Sequence, residues 1–193
     1  MKVIIAVVFA LLFNGSLLAQ ATWNIDKTHS TVGFTVKHML ITDVEGNFKD
    51  YEVTAKTNAK NKLESISANI KTGSINTENE KRDQHLKADD FFNSENFPEM
   101  TFVSSKIEAK KGNQFKIHGN LTIRGITKAV VLDATFNGEI TDPWGNTRMG
   151  WNATTTINRF DYDLKWNTLM EAGGAVVSKD VKVILNVQFI KAK

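Results

Sequence analysis

The chain has 193 residues, 41% of them hydrophobic, no cysteine and a formal net charge of +3. That length supports one self-sufficient core, and the missing cysteines rule out disulfide staples. Lysines such as Lys56, Lys60, Lys62, Lys106 and Lys110 are interleaved with acidic residues instead of gathering on one face, so no nucleic-acid partner is expected.

The opening residues read as an address. Met1-Lys2 gives a basic start, Val3 to Phe13 is almost wholly apolar, and Ala19-Gln20-Ala21 fits a small-x-small cleavage pattern. The apolar run falls short of the roughly 20 residues that span a bilayer. Residues 1–21 are therefore expected to be a cleaved signal peptide, and residues 22–193 a single exported domain, periplasmic or secreted and not membrane-spanning. With no cysteine at the cleavage site, no lipid anchor is expected.

Period-2 alternation then dominates. Val32, Phe34, Val36 and His38 oppose Thr31, Gly33, Thr35 and Lys37. A second strand is predicted over Asn47 to Asn58, and a third where Ile66, Ala68 and Ile70 oppose Ser65, Ser67, Asn69 and Lys71.

Between Ser74 and Phe102 the alternation lapses. Thr77 with Glu80 three residues on forms a capping box that opens a short helix through about Ala88, presenting Leu86 inward. Arg82, Asp83 and His85 on this insert fit two roles: a brace of ion pairs and backbone caps that holds the insert down, or contact with a ligand head group. An acid/base reading of the same cluster is the enzyme alternative, although no serine or cysteine nucleophile accompanies it. His29, His38, His85 and His118 lack the close paired spacing of a zinc site; His85 with Asp89 is the best pair, and neither metal nor cofactor is expected. Phe91-Phe92 and Phe97-Pro98 fit a hydrophobic plug or the lip of a cavity.

Strands resume at Glu99 to Ala109, Gln114 to Arg124, Thr127 to Ile140, Arg148 to Ile157 and Asp180 to Lys191. Lys111-Gly112-Asn113 and Asp142 to Asn146 are turn-rich, which makes their flanking strands antiparallel neighbours. Asn158 to Gly174 is expected as a long apolar loop with a helical turn, whose Phe160, Trp166, Leu169 and Met170 shape a rim or a dimer contact. The class is all-β. About eight antiparallel strands, each with one apolar face, must hide that face in a sandwich or a closed barrel.

Several ordered motifs resemble the YceI-like family of exported bacterial proteins. They are Trp23-x-Ile25-Asp26-x-x-His29-Ser30, Phe34-x-Val36-x-His38, Gly46-x-Phe48, Arg82-Asp83-x-His85-Leu86, Asp90-Phe91-Phe92, Phe97-Pro98-x-x-Thr101-Phe102 and Gly119-x-Leu121-Thr122-Ile123-Arg124-Gly125. The resemblance implies a lipocalin-like antiparallel β-barrel of about eight strands with an elongated apolar cavity. It also implies a long-chain apolar ligand (a polyisoprenoid, an isoprenoid quinone or a fatty amide), frequent homodimers and no common catalytic activity. On that basis Phe34, Val36, Phe48, Phe92, Phe102, Met149, Trp151 and Phe160 are candidates to line the cavity, although ordinary core packing explains the same residues. A third class, the outer-membrane barrel, predicts apolar faces turned outward and a terminal aromatic; the chain ends in Ile190-Lys191-Ala192-Lys193.

Overall fold

The computed structural model describes residues 20–169 and 176–193; the expected leader lies almost wholly outside them, as do Met170 and Gly173-Gly174. Eleven strands form one antiparallel sheet: β1 (Ala21–Ile25), β2 (Thr31–His38), β3 (Thr42–Phe48), β4 (Tyr51–Thr57), β5 (Leu63–Lys71), β6 (Ile75–Asn76), β7 (Glu99–Ala109), β8 (Gln114–Ile123), β9 (Ile126–Thr141), β10 (Thr147–Asn158) and β11 (Val177–Lys191). One helix, α1 (Glu80–Lys87), sits between β6 and β7.

Pairing reduces the eleven segments to eight barrel strands. β1 and β2 both run against β11, at Asn24↔Ile190 and at Phe34↔Val183, so they are one strand interrupted at Asp26 to Ser30. β4 pairs with β1 while β3 pairs with β2, and β5 pairs with β4 while β6 pairs with β3. β7 to β11 then follow as a meander, and β11 returns to β1 and β2 to close the ring. Closure removes the free edges that an open sheet would expose.

The single strand predicted over residues 47–58 is thus broken at Lys49 and Asp50. Their backbone groups bond the equally interrupted neighbour, Lys49 N–H to Ser74 O at 3.1 Å and Lys71 N–H to Asp50 O at 2.9 Å. Both predicted turns join antiparallel neighbours, with Lys110 N–H on Gln114 O at 2.8 Å and Asp142 N–H on Asn146 O at 2.9 Å.

The predicted capping box does not form. The helix cap is Asn79, whose Oδ1 accepts from Arg82 N–H at 3.0 Å. Glu78, at φ 58°, turns the chain between Thr77 and the helix, and Thr77 is drawn to Asp83 instead.

The alternation is resolved with apolar faces inward. Ile117 and Ile123 of β8, Leu132 and Ala134 of β9, and Met149, Trp151 and Ala153 of β10 are buried, while Lys116, Asn120 and Asn152 look outward. That is the reverse of the outward apolar belt of an outer-membrane barrel.

Candidate binding cavity

An apolar cavity of about 220 Å³ lies within the barrel. Its wall comes from nearly every strand: Val32, Phe34 and Val36 of β2, Phe102 of β7, Leu121 of β8, and every second residue from Ile66 to Ile70 of β5, from Trp151 to Ile157 of β10 and from Val181 to Phe189 of β11. Leu86, Phe91 and Phe92 of the insert cover one end.

Two glycines create room for two of the wall's rings. Phe34 faces Gly46 across the β2–β3 ladder, and a Cβ at Gly46 would meet its ring at 2.4 Å. Phe102 lies over Gly119, where a Cβ would meet the ring at 2.4 Å and Val103 O at 2.7 Å. Each ring therefore lies back against bare backbone. Phe48 joins the first of these rings to the insert, tilted against Phe34 at 6.0 Å and edge-on to Phe92 at 5.7 Å.

The insert is held down through polar contacts beneath its aromatic cover. Asp83, buried, accepts from Thr77 N–H at 2.9 Å and Thr77 Oγ1 at 2.6 Å, while Arg82 donates to Thr77 O and Oγ1, both at 2.7 Å. Arg82 and Asp83 thereby fix the chain entering α1 and do not line the cavity. His85 lies at the surface side, its Nε2 2.8 Å from Asp90 Oδ2 and its ring edge-on to Phe91 and Trp166. Its carboxylate partner is Asp90, not Asp89. Arg124, from the β8–β9 turn, donates to Asp89 O at 2.5 Å and to Phe91 O.

Arg159 is the feature that sequence reasoning missed. It is 4% exposed and lines the cavity, and its guanidinium donates to four carbonyls: Ser178 O at 2.9 Å, Leu164 O at 2.6 Å, Trp166 O at 2.7 Å and Val177 O at 3.3 Å. Burial pushes its pKa below the ordinary arginine value. The signal was available in the parity of β10, where Met149, Trp151, Ala153, Thr155 and Ile157 all face inward. Arg159 continues that face at the start of a 3-10 turn, and Phe160 stands outside with the guanidinium over its ring at 4.4 Å.

The opposite end, at the β9–β10 turn, is a cluster of charges. Arg148 bridges Asp26 at 2.5 Å and Asp142 at 2.6 Å; His29 Nδ1 and Gln188 Nε2 also reach Asp26, at 2.9 and 3.1 Å. Burial acts to raise the Asp26 pKa, but the hydrogen bonds from His29, Arg148, Thr28 and Gln188 outweigh it and hold the carboxyl at about 2. At Asp142 burial likewise opposes ionisation, and Arg148 with Asn146 and Trp144 overrides it, leaving the pKa well below the usual carboxylate range.

Of the residues singled out in the sequence, Phe34, Val36, Phe48, Phe92, Phe102 and Trp151 share the cavity wall. Met149 faces inward but is buried outside the lining, and Phe160 stands outside it. No group of three or more His, Cys, Asp or Glu side chains suited to a metal occurs among the described residues, and no described helix is long and apolar enough to cross a membrane.

Residues 23–189 match the model of the YceI-like domain. A UPF0312 protein of Staphylococcus aureus is 35% identical over 172 residues, covering 88% of this chain and 98% of the relative. The crystal structure of the Campylobacter jejuni YCEI protein is 34% identical with TM-score 0.71, covering 87% of this chain and 96% of that one. A polyisoprenoid binding domain from Saccharophagus degradans, implicated in plant cell wall breakdown, shares the fold at TM-score 0.63 and 15% identity, over 91% of this chain and 99% of its own.

Proposed function

This chain belongs to the YceI-like domain family, and on that premise we propose that it is a binding and carrier protein for a long apolar molecule held inside the barrel. The observation that carries this reading is the cavity wall, built from aliphatic and aromatic side chains of nearly every barrel strand and capped by Leu86, Phe91 and Phe92. Such a wall selects by shape and apolar area. Each methylene buried contributes about 0.8 kcal/mol, so a chain-like ligand gains affinity with length without any polar contact. A polyisoprenoid, a quinone bearing an isoprenoid tail and a fatty amide share that chemistry, and the polyisoprenoid binding domain of like fold supports the first. The apolar start of the chain supports export and a periplasmic setting.

The reading is non-catalytic. Asp83 and Arg82 spend their hydrogen bonds on Thr77, and His85 spends one on Asp90, which leaves the cluster a fastening for the insert. Two measurements test the proposal. Solvent extraction of the purified protein followed by mass spectrometry should yield an apolar chain, and displacement of a dansyl-labelled fatty acid by geranylgeraniol should be saturable. Val181→Phe, which fills the cavity from β11, should weaken uptake, whereas His85→Ala should leave it intact. A protein that carries nothing and takes up neither probe is not a carrier of this kind.

A further inference from the structure

Most exposed apolar side chains on the barrel wall stand singly, which is ordinary for a protein surface. One group does not. Met39, Leu40 and Ile41, consecutive at the β2–β3 turn, are 42%, 65% and 79% exposed, and Leu169 is 71% exposed. Backbone hydrogen bonds join their segments into one rim: Met39 N–H donates to Val176 O at 2.8 Å, and Val176 N–H to Thr168 O at 2.9 Å. Just inside this rim, Val36 and Val177 line the cavity. The apolar inner wall therefore continues outward into an apolar lip.

The backbone of the turn shows that folding did not choose these residues. Ile41 N–H closes on His38 O at 3.2 Å, and both central residues occupy the left-handed region, Met39 at φ 51° and Leu40 at φ 63°. That geometry favours Asn-Gly, and bulky side chains there carry strain. A turn that gives up local stability to hold three apolar side chains in water breaks the usual agreement between local and global preference, as functional positions do.

We propose that this lip is the surface by which the protein docks on a lipid bilayer, so that an apolar chain passes between membrane and cavity without crossing water. The second clause rests on the binding function proposed above. The occupant follows from size and shape. A stable protein contact buries on the order of 1,000 Å², and a turn with three apolar side chains, with Leu169 on the neighbouring segment, offers neither that area nor a pocket of its own. Shallow insertion at the boundary of head groups and acyl chains needs neither. Among the described residues beside the tip, Lys37 is bound to Asp43 at 2.9 Å and Lys179 is followed by Asp180, so side-chain insertion rather than head-group charge drives the contact.

The test is vesicle flotation without any added ligand, using phosphatidylcholine vesicles and vesicles of phosphatidylethanolamine with phosphatidylglycerol. The protein should float with both and remain bound at high salt. The double variant Met39→Asn/Leu40→Gly should resist denaturant better than the parent yet lose vesicle partition by roughly tenfold or more. Ile41→Ser should move partition the same way, and Trp144→Ser, an exposed aromatic at the opposite end, should leave it unchanged. Failure of the parent protein to float, undiminished flotation of the double variant, or loss of flotation in Trp144→Ser overturns the proposal. So does a parent dimer in sedimentation that the double variant breaks, since the tip is then a protein contact. None of these readouts contains the apolar probe, so absence of probe uptake would sink the binding function while leaving the docking result to stand.

Discussion

The two ends of the barrel are fastened by different chemistry. At the β9–β10 turn charge meets charge, Arg148 lying between Asp26 and Asp142 with His29 and Gln188 alongside. At the covered end arginine meets carbonyl, Arg124 on Asp89 and Phe91, and Arg159 on Leu164, Trp166, Val177 and Ser178. A carboxylate can be protonated in acid, and a carbonyl cannot. The first end is a fastening that acid can undo; at the second, the loop over the cavity is held by arginine on carbonyls, whose charge is constant, and carboxylates enter where Asp83 fastens the start of α1, His85 meets Asp90 and Arg124 meets Asp163.

The largest effect is expected at the covered end. Arg159→Met orphans four carbonyls around one buried position and should cost about 3–5 kcal/mol in chemical denaturation. Its loss of stability should be the same at acid and neutral pH, and a pH-dependent loss would erase the contrast between the ends. Next comes Gly119→Val, whose Cβ displaces the Phe102 ring into the cavity. Overpacking of this kind costs about 1–3 kcal/mol, and displacement of the dansyl probe should show weaker binding. If stability falls with affinity unchanged, the ring moves elsewhere and the cavity is not set by that glycine.

The acid response is a smaller, local effect. The folded pKa of Asp26, about 2, lies below its ordinary 3.8, so folding favours the ionised form. Its contribution is complete above the ordinary carboxylate value and is lost as pH falls through about 2. Amide exchange at Thr28, which donates to Asp26, should accelerate in that window, and exchange at Trp144 and Asn146, which donate to Asp142, at lower pH still, both before exchange in the loop held by Arg159. Arg148→Gln should bring the same loosening to neutral pH. Smallest is Asn79→Ala, which removes the helix cap and should cost about 1 kcal/mol, with faster exchange confined to α1.

Much of this architecture was legible in the sequence because a half-buried strand must alternate. β7 was read residue for residue, β8 to within one residue, and the strict pattern of β11 pointed to the correct inward face. The interruptions were not legible. Lys49-Asp50 carries no glycine or proline; the break lies beside the interruption between β5 and β6, to which its backbone bonds, a condition set across the sheet. The charge cluster was hidden for a similar reason, since Asp26 and Arg148 are 122 residues apart and meet only when the barrel closes. Arg159 was obscured by its aromatic neighbours, which drew attention to Phe160, although parity along β10 already pointed inward at 159.

β11 pairs with β10 on one side and with both β1 and β2 on the other, joining Trp23 to Lys191. Until it docks there is no enclosed space, only a curved sheet with two raw edges. Contacts between such distant parts of the chain form slowly, because the entropy of closing the intervening loop must be overcome before any contact offsets it. The cavity is thus enclosed only once β11 joins β10 to β1 and β2. A partly folded molecule has a curved sheet but no enclosed interior.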